Sequence, residues 1–243
     1  MTPCSISPDS NTKDDWHLER QALDLLGYTA PLPLSEPERA DAVLTATTLT
    51  AGYARNPHLR NEAIFHLLED EGLRTAIRRL CGPRFRLWRS AYFRKVQGSG
   101  EIGWHHDKHF FSDGVDNIRL DEIGTHYSIL FALTDIVPST GVLEVIPGTH
   151  RPMPGLDRDE RPFHQRPPES HILKDLPQHV VAQARPVPIP AGSFLVFHSA
   201  LLHRSQPHAG GVDRLGLAIR LVRDGIDVPS ELAEPDDVHS LSI

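Results

Sequence analysis

The hydrophobic period of the chain changes at Cys81-Gly82-Pro83, and that change limits the fold to helices placed ahead of a sheet. Before it, Ala63, Ile64, Leu67, Leu68, Leu73, Ile77 and Leu80 recur at helical spacing, with an interruption over 69–72. Further upstream, Trp16, Leu18, Ala22, Leu25 and Leu26 predict a short amphipathic helix over 15–27. Pro31 and Pro33 impose an extended path after it. Ser35 with Glu38 three residues on reads as a capping box opening a helix within 39–54. After the change, residues 84–96 alternate: Leu87, Arg89, Ala91 and Phe93 on one face, Trp88, Ser90, Tyr92 and Arg94 on the other. Further strands are predicted at 102–107, 127–133, 142–146, 193–198 and 215–222. Several short strands after a helical start predict a mainly β chain, a double-sheet jelly roll (double-stranded β-helix, cupin-like) with helices outside.

At 243 residues the chain is expected to form one domain. That domain covers 15–243: a helical part over 15–83, the jelly-roll core over 84–223 and a peripheral acidic tail over 224–243. Residues 1–14 read as a polar tail with neither the basic start nor the apolar run of a secretion signal. Residues 108–124 form a long polar loop, and 151–185 a proline-rich irregular excursion. The net charge of −7 argues against nucleic-acid binding, which needs a basic face. Cys4 and Cys81 are too few for a disulfide framework, so a cytoplasmic location is expected. No apolar run approaches the roughly 18 residues of a membrane span, and oligomeric state leaves no signal.

Chemistry concentrates in Trp104-His105-His106-Asp107. On a strand, residues i and i+2 share a face, so His105 and Asp107 can hold one ion together. A third ligand would complete the two-histidine, one-carboxylate triad that leaves positions open on iron(II). His198 or His203 could supply it. His106 should face away, and His109, four residues past His105, lacks the helical context of a zinc pair. Arg214 opens an apolar strand, and a buried arginine requires an anion. With Ser205 nearby it would suit a dicarboxylate that grips the metal by its other end. Arg220, on the same strand face, would reach a substrate anion or form a salt bridge. Lys95 and Tyr92 would touch the cosubstrate or simply pack in their strand. Trp104, Phe110 and Phe111 would wall a substrate pocket or fill core.

The motifs WHHD, GVLEVIPGTH over 141–150 and FHSALLHRS, followed by Arg214, resemble the phytanoyl-CoA dioxygenase family. So does the helical segment 57–83, and the similarity spans 57–222. The resemblance implies an iron(II)- and 2-oxoglutarate-dependent dioxygenase. Its iron ligands fall on His105, Asp107 and His203, and its cosubstrate carboxylate pair on Ser205 and Arg214. It implies that O2 oxidises a C–H bond of a small molecule, by hydroxylation or otherwise, with release of succinate and CO2. Secondary metabolism is the expected source of that molecule. Asp107, present where related halogenases carry a small residue, favours hydroxylation or another oxidation. His208 departs from the family, which often has asparagine there. Two other readings are a metal-binding jelly roll without turnover and a nucleic-acid demethylase of the same superfamily. The intact ligand set counts against the first, and the acidic balance against the second.

Overall fold

A computed structural model describes residues 13–107, 124–153, 156, 173, 175–228 and 238–242. The helical part comprises α1 (Lys13–Leu26), α2 (Glu38–Thr45), α3 (Ala63–Leu68) and α4 (Glu71–Leu80). The break between α3 and α4 falls where the periodicity is interrupted. In α1 the buried apolar residue is Leu23, while Leu18, Leu25 and Leu26 are exposed, so the expected stripe is displaced. The capping box at Ser35 and Glu38 does not form. Pro37 precedes α2 without a side-chain cap. Asp70 takes that role from a distance: its carboxylate accepts from Leu73 N at 2.9 Å, capping α4, and from Ser35 N and Glu36 N at 3.2 and 2.8 Å.

The strands are β1 (Leu32–Pro33), β2 (Gly52–Arg55), β3 (Arg84–Lys95), β4 (Ile102–His105), β5 (His126–Ala132), β6 (Leu143–Val145), β7 (Arg185–Val187), β8 (Ser193–His198), β9 (His203–Ser205), β10 (Arg214–Arg223) and β11 (His239–Ser242). A short helix, α5 (Gln178–Val181), precedes β7. One sheet runs β1-β8-β5-β10-β3-β11, with β2 also on β3, and the other runs β4-β9-β6-β7. From β3 to β10 the chain passes repeatedly between the two, which gives the expected jelly roll. The tail expected at the periphery returns as β11, paired with β3 over Arg84 to Leu87.

Two cores fix the sheets. Leu215, Leu217, Ile219 and Leu221 of β10 join Leu23, Ile64, Leu67, Leu73 and Ile77 in a core between the larger sheet and the helices. Ala218, Leu130, Leu195 and Phe197 meet Leu143, Val145 and Val187 between the sheets. Each fully buried aliphatic side chain contributes roughly 1.5–3 kcal/mol. Alternation in β3 holds only as far as a register shift against β10, at Arg220 and Leu221, which skips Trp88. Leu87 therefore packs in the helix-facing core with Tyr92, not on the face of Arg89 and Ala91. Such a bulge sets two consecutive side chains, here Trp88 and Arg89, beyond simple alternation. No helix among the described residues is long and apolar enough to cross a membrane.

Replacing Asp70 with alanine removes the cap of α4 and leaves buried N–H groups without acceptors. Asp70→Ala should cost about 2 kcal/mol or more of stability, read as a lowered midpoint in urea or thermal unfolding. An unchanged midpoint would mean that water replaces the carboxylate at no cost.

Candidate metal centre and its cavity

His105 at the end of β4 stands opposite His203 at the start of β9. Their ring centroids are 4.2 Å apart. Asp107 lies just beyond β4, where its N–H donates to Ser199 O at 2.7 Å and fixes the backbone. One donor atom from each of His105, Asp107 and His203 lies within 4.8 Å of the others, so the three could hold a metal ion. No other group of three His, Cys, Asp or Glu side chains comes together in this way among the described residues.

Both imidazoles are set by the carbonyl two residues back. His105 Nδ1 donates to Gly103 O at 2.7 Å and His203 Nδ1 to Leu201 O at 3.0 Å. A carbonyl can only accept, so the proton sits on Nδ1 and the Nε2 lone pair is free for a metal. Burial, with His203 alongside, pushes His105 down to about 3 although Asp107 opposes it, so the ring is neutral at physiological pH. Asp107 is gripped from two sides. Ser128 Oγ donates to its Oδ2 at 2.9 Å, and Arg220 Nη2 donates to its Oδ1. Burial alone would raise the carboxyl, but Arg220, then His203 and His105, hold it well below the usual carboxylate range. Of the two roles open to Arg220, the ion pair with Asp107 is the one that forms.

An open cavity is lined by this group, by Ser205 and Arg214, and by Phe93, Ile102, Leu130, Leu143, Phe197, Arg204 and Ala218. Arg214 Nη1 donates to Gly141 O, while its Nε and Ser205 Oγ are buried without a partner. Gly141 has a φ of +85°, and an added Cβ would stand 2.5 Å from Gln206 O, so this turn requires glycine. Burial lowers Arg214 to about 10, which still leaves it a cation at neutral pH. No carboxylate among the described residues lies within ion-pair distance of it. Lys95 Nζ donates to the carbonyls of Gly100 at 2.8 Å and Ser205 at 3.4 Å. Burial and then Arg214 lower it to about 8.

The alternatives left open by the sequence divide on geometry. His198 lies apart from the triad, stacked on His150 and beside Tyr127, each at 4.7 Å between ring centroids. His106 is buried outside the group. Trp104 fills core, not pocket: it packs with Ile146, Val180 and Leu202 on the far side of the smaller sheet, because it alternates with His105. Tyr92 packs toward the helices, its hydroxyl accepting from Asn61 at 2.9 Å. His208 secures the turn before β10 by donating from Nε2 to Val212 O at 2.7 Å. His109, Phe110, Phe111 and nearly all of the 108–124 loop lie outside the described residues. Sequence reasoning missed Ser128; its one signal was a hydroxyl inside the apolar run Ile129-Leu130-Phe131 and its flanks.

The fold is shared with several solved structures. SnoN, an epimerase solved with Fe3+, alpha ketoglutarate and nogalamycin RO, is 17% identical, with a TM-score of 0.66 over 92% of this chain and 94% of that one. SnoK, an alpha-ketoglutarate-dependent carbocyclase from nogalamycin biosynthesis, is 18% identical, with a TM-score of 0.66 over 98% of this chain and 100% of that one. The non-heme monooxygenase ThoJ is 21% identical, with a TM-score of 0.63 over 86% of this chain and 78% of that one. No curated protein matches the chain at a significant level. The family model for phytanoyl-CoA dioxygenase matches residues 32–216, from β1 to the start of β10. That span takes in α2 to α5, β1 to β9 and every residue of the triad, and so the chain belongs to the phytanoyl-CoA dioxygenase family of non-haem iron, 2-oxoglutarate-dependent enzymes.

Proposed function

We propose that the protein oxidises a C–H bond of a small molecule, by hydroxylation in the first instance, using iron(II), 2-oxoglutarate and O2. The observation that carries the reading is the polarity of one cavity. At one end stand two imidazoles and a carboxylate, and at the other a buried arginine with no carboxylate partner among the described residues and a buried hydroxyl without a hydrogen-bond partner. A dicarboxylate with a 2-oxo group complements both ends. Family membership points the same way.

His105, Asp107 and His203 would hold iron through two nitrogens and one oxygen, a donor set that suits iron(II) and leaves positions open for cosubstrate. Iron(II) with 2-oxoglutarate and O2 supplies the oxidising power, yielding succinate and CO2. The protein's own contribution is placement. Arg214 and Ser205 would bind the distal carboxylate, the guanidinium by a charge-assisted bond and the hydroxyl by a neutral one. Leu130, Leu143, Phe197 and Ala218 supply apolar wall between the two ends and exclude water. Arg220 and Ser128 hold Asp107 ionised and oriented. The matched fold in SnoN and SnoK, both from nogalamycin biosynthesis, favours a natural-product substrate over a nucleic acid.

The reading is tested by O2 uptake and succinate formation that require added iron(II) and 2-oxoglutarate together. Absence of both from iron-loaded protein across amino acids, acyl thioesters and natural-product scaffolds would favour a binding module without turnover.

Two substitutions separate the ends of the cavity. His203→Ala should abolish stoichiometric iron(II) binding while His198→Ala retains it, as measured by metal analysis after desalting. Equal iron content in wild type and His203→Ala would place the third ligand elsewhere.

Arg214→Ala should keep iron but raise the KM for 2-oxoglutarate about a hundredfold or more, since breaking a buried charged pair costs roughly 3–5 kcal/mol. Ser205→Ala should have a smaller effect in the same direction. An unchanged KM in Arg214→Ala would put the carboxylate at another cation.

A further inference from the structure

The inward faces of β3 and β10 carry more positive charge than the proposed cosubstrate answers. Across this pair Arg214 stands opposite Lys95, Gly216 opposite Phe93, Ala218 opposite Ala91 and Arg220 opposite Arg89. Four of these eight positions are cations and none is an acid. Lys95 and Arg214 sit at the distal-carboxylate end. Arg220 serves Asp107 through Nη2, yet its Nε and Nη1 are buried without a hydrogen-bond partner. Arg89 meets no acid among the described residues: Nη2 donates to Tyr53 Oη at 3.1 Å, and Nε is buried without a partner. Like charges directly opposite on adjacent strands repel, so Arg89 facing Arg220 is a cost that an anion between them would offset.

The arrangement is built, not incidental. The bulge at Trp88 puts the Arg89 guanidinium 5.9 Å from the Trp88 ring centroid, a cation–π contact that steadies it. Tyr53 holds its other edge and packs against Phe93 with ring centroids 5.2 Å apart. Phe93 itself lines the cavity, so an aromatic wall leads from the metal group toward Arg89. Arg89 is half-buried, whereas Arg220 is buried, so Arg89 is the one of the pair open to an incoming ligand.

The geometry points to a substrate that is a small organic acid, its carboxylate received by Arg89 with the free edge of Arg220 turned toward the same anion. This rests on the iron and 2-oxoglutarate reading for the reaction, but not for the anion site itself. A guanidinium fork matches a carboxylate in two parallel bonds, and Tyr53 and Phe93 offer flat apolar surface to the carbon skeleton behind it. The acid group would anchor the molecule on the β2–β3 side, leaving the C–H bond to be oxidised further along, toward His105 and Asp107.

The test uses calorimetry on full-length protein with benzoate, phenylacetate and 3-phenylpropionate, each against its neutral amide. The series is run on metal-free protein and on protein carrying Zn(II) and N-oxalylglycine, a 2-oxoglutarate analogue that does not turn over. At least one acid should bind about tenfold or more tighter than its amide, Arg89→Gln should erase that preference, and Arg89→Lys should keep most of it. Acids binding no tighter than amides in wild type, or a preference that survives Arg89→Gln, would overturn the proposal. Zn(II) and N-oxalylglycine uptake is measured on the same samples. Their failure to bind in wild type would sink the iron and 2-oxoglutarate assignment, while the Arg89-dependent preference is read separately on metal-free protein.

Discussion

Asp107 is a carboxylate with 3% of its surface exposed, and the rest of the site is arranged around keeping it ionised there. Removing a charge from water costs several kcal/mol unless partners replace the lost solvation. Three elements supply them. β10 brings Arg220 to Oδ1, β5 brings Ser128 to Oδ2, and the turn before Leu201 brings Ser199, whose carbonyl holds the Asp107 backbone N–H. Arg220 and Ser128 lie opposite each other across β10 and β5. A slip of one residue in that register would turn the residue on the slipped strand away from the carboxylate. The larger sheet is therefore the instrument that aims an acid carried by the smaller one.

The same strand sets the spacing of two of the buried cations. Arg214 and Arg220 are six residues apart on one face of β10, a span of about 20 Å at roughly 3.3 Å per residue. Between them stand Gly216 and Ala218, the smallest side chains available. A Cβ at Gly216 would already lie 3.2 Å from Leu130 Cδ1, so the space is matched to the absence of a side chain. Two cations thus flank a stretch of small residues on this face, Arg214 in the cavity lining and Arg220 behind Asp107. The opposite face, with Leu215, Leu217, Ile219 and Leu221, anchors the strand to the helices and lets the inward face be polar.

Long elements were legible because period survives in sequence; of the short ones only β4 and β6 were read, and the rest were not. β3, β5, β8, β10 and the α3–α4 break fall close to their predicted positions. β1, β2, β7, β9 and β11, of two to four residues each, are too short to show a period and form because neighbours pair with them. The pair His105 and Asp107 was readable from i, i+2 spacing, and Arg214 from its charge inside an apolar run. The choice between His198 and His203 came from resemblance; the geometry later separated the two rings. Ser128 and Arg89 meet their partners only through long-range pairing, Ser128 at 21 residues from Asp107 and Arg89 at 131 from Arg220, so no local pattern marks either. The capping box at Ser35 failed for a related reason: Asp70, 35 residues on, competes for the same N–H groups and wins by capping α4 as well.

Charge is distributed against the average of the chain, and that contrast bears on what enters. The chain as a whole carries a formal −7, so its outer surface disfavours anions. Yet Lys95, Arg89, Arg214 and Arg220 line the inward faces of β3 and β10 against the single carboxylate of Asp107. Arg204, which also lines the cavity, is already answered by Glu144 at 2.5 Å and Glu101 at 3.6 Å on the far side. In a cleft with apolar walls, field lines from unpaired cations are concentrated and not dispersed into water. An acidic exterior with cations on the inner faces would disfavour anions generally while offering a place to those that reach Arg89 past Tyr53 and Phe93. Selection by shape at the entrance and by charge inside would then act in sequence on the same molecule.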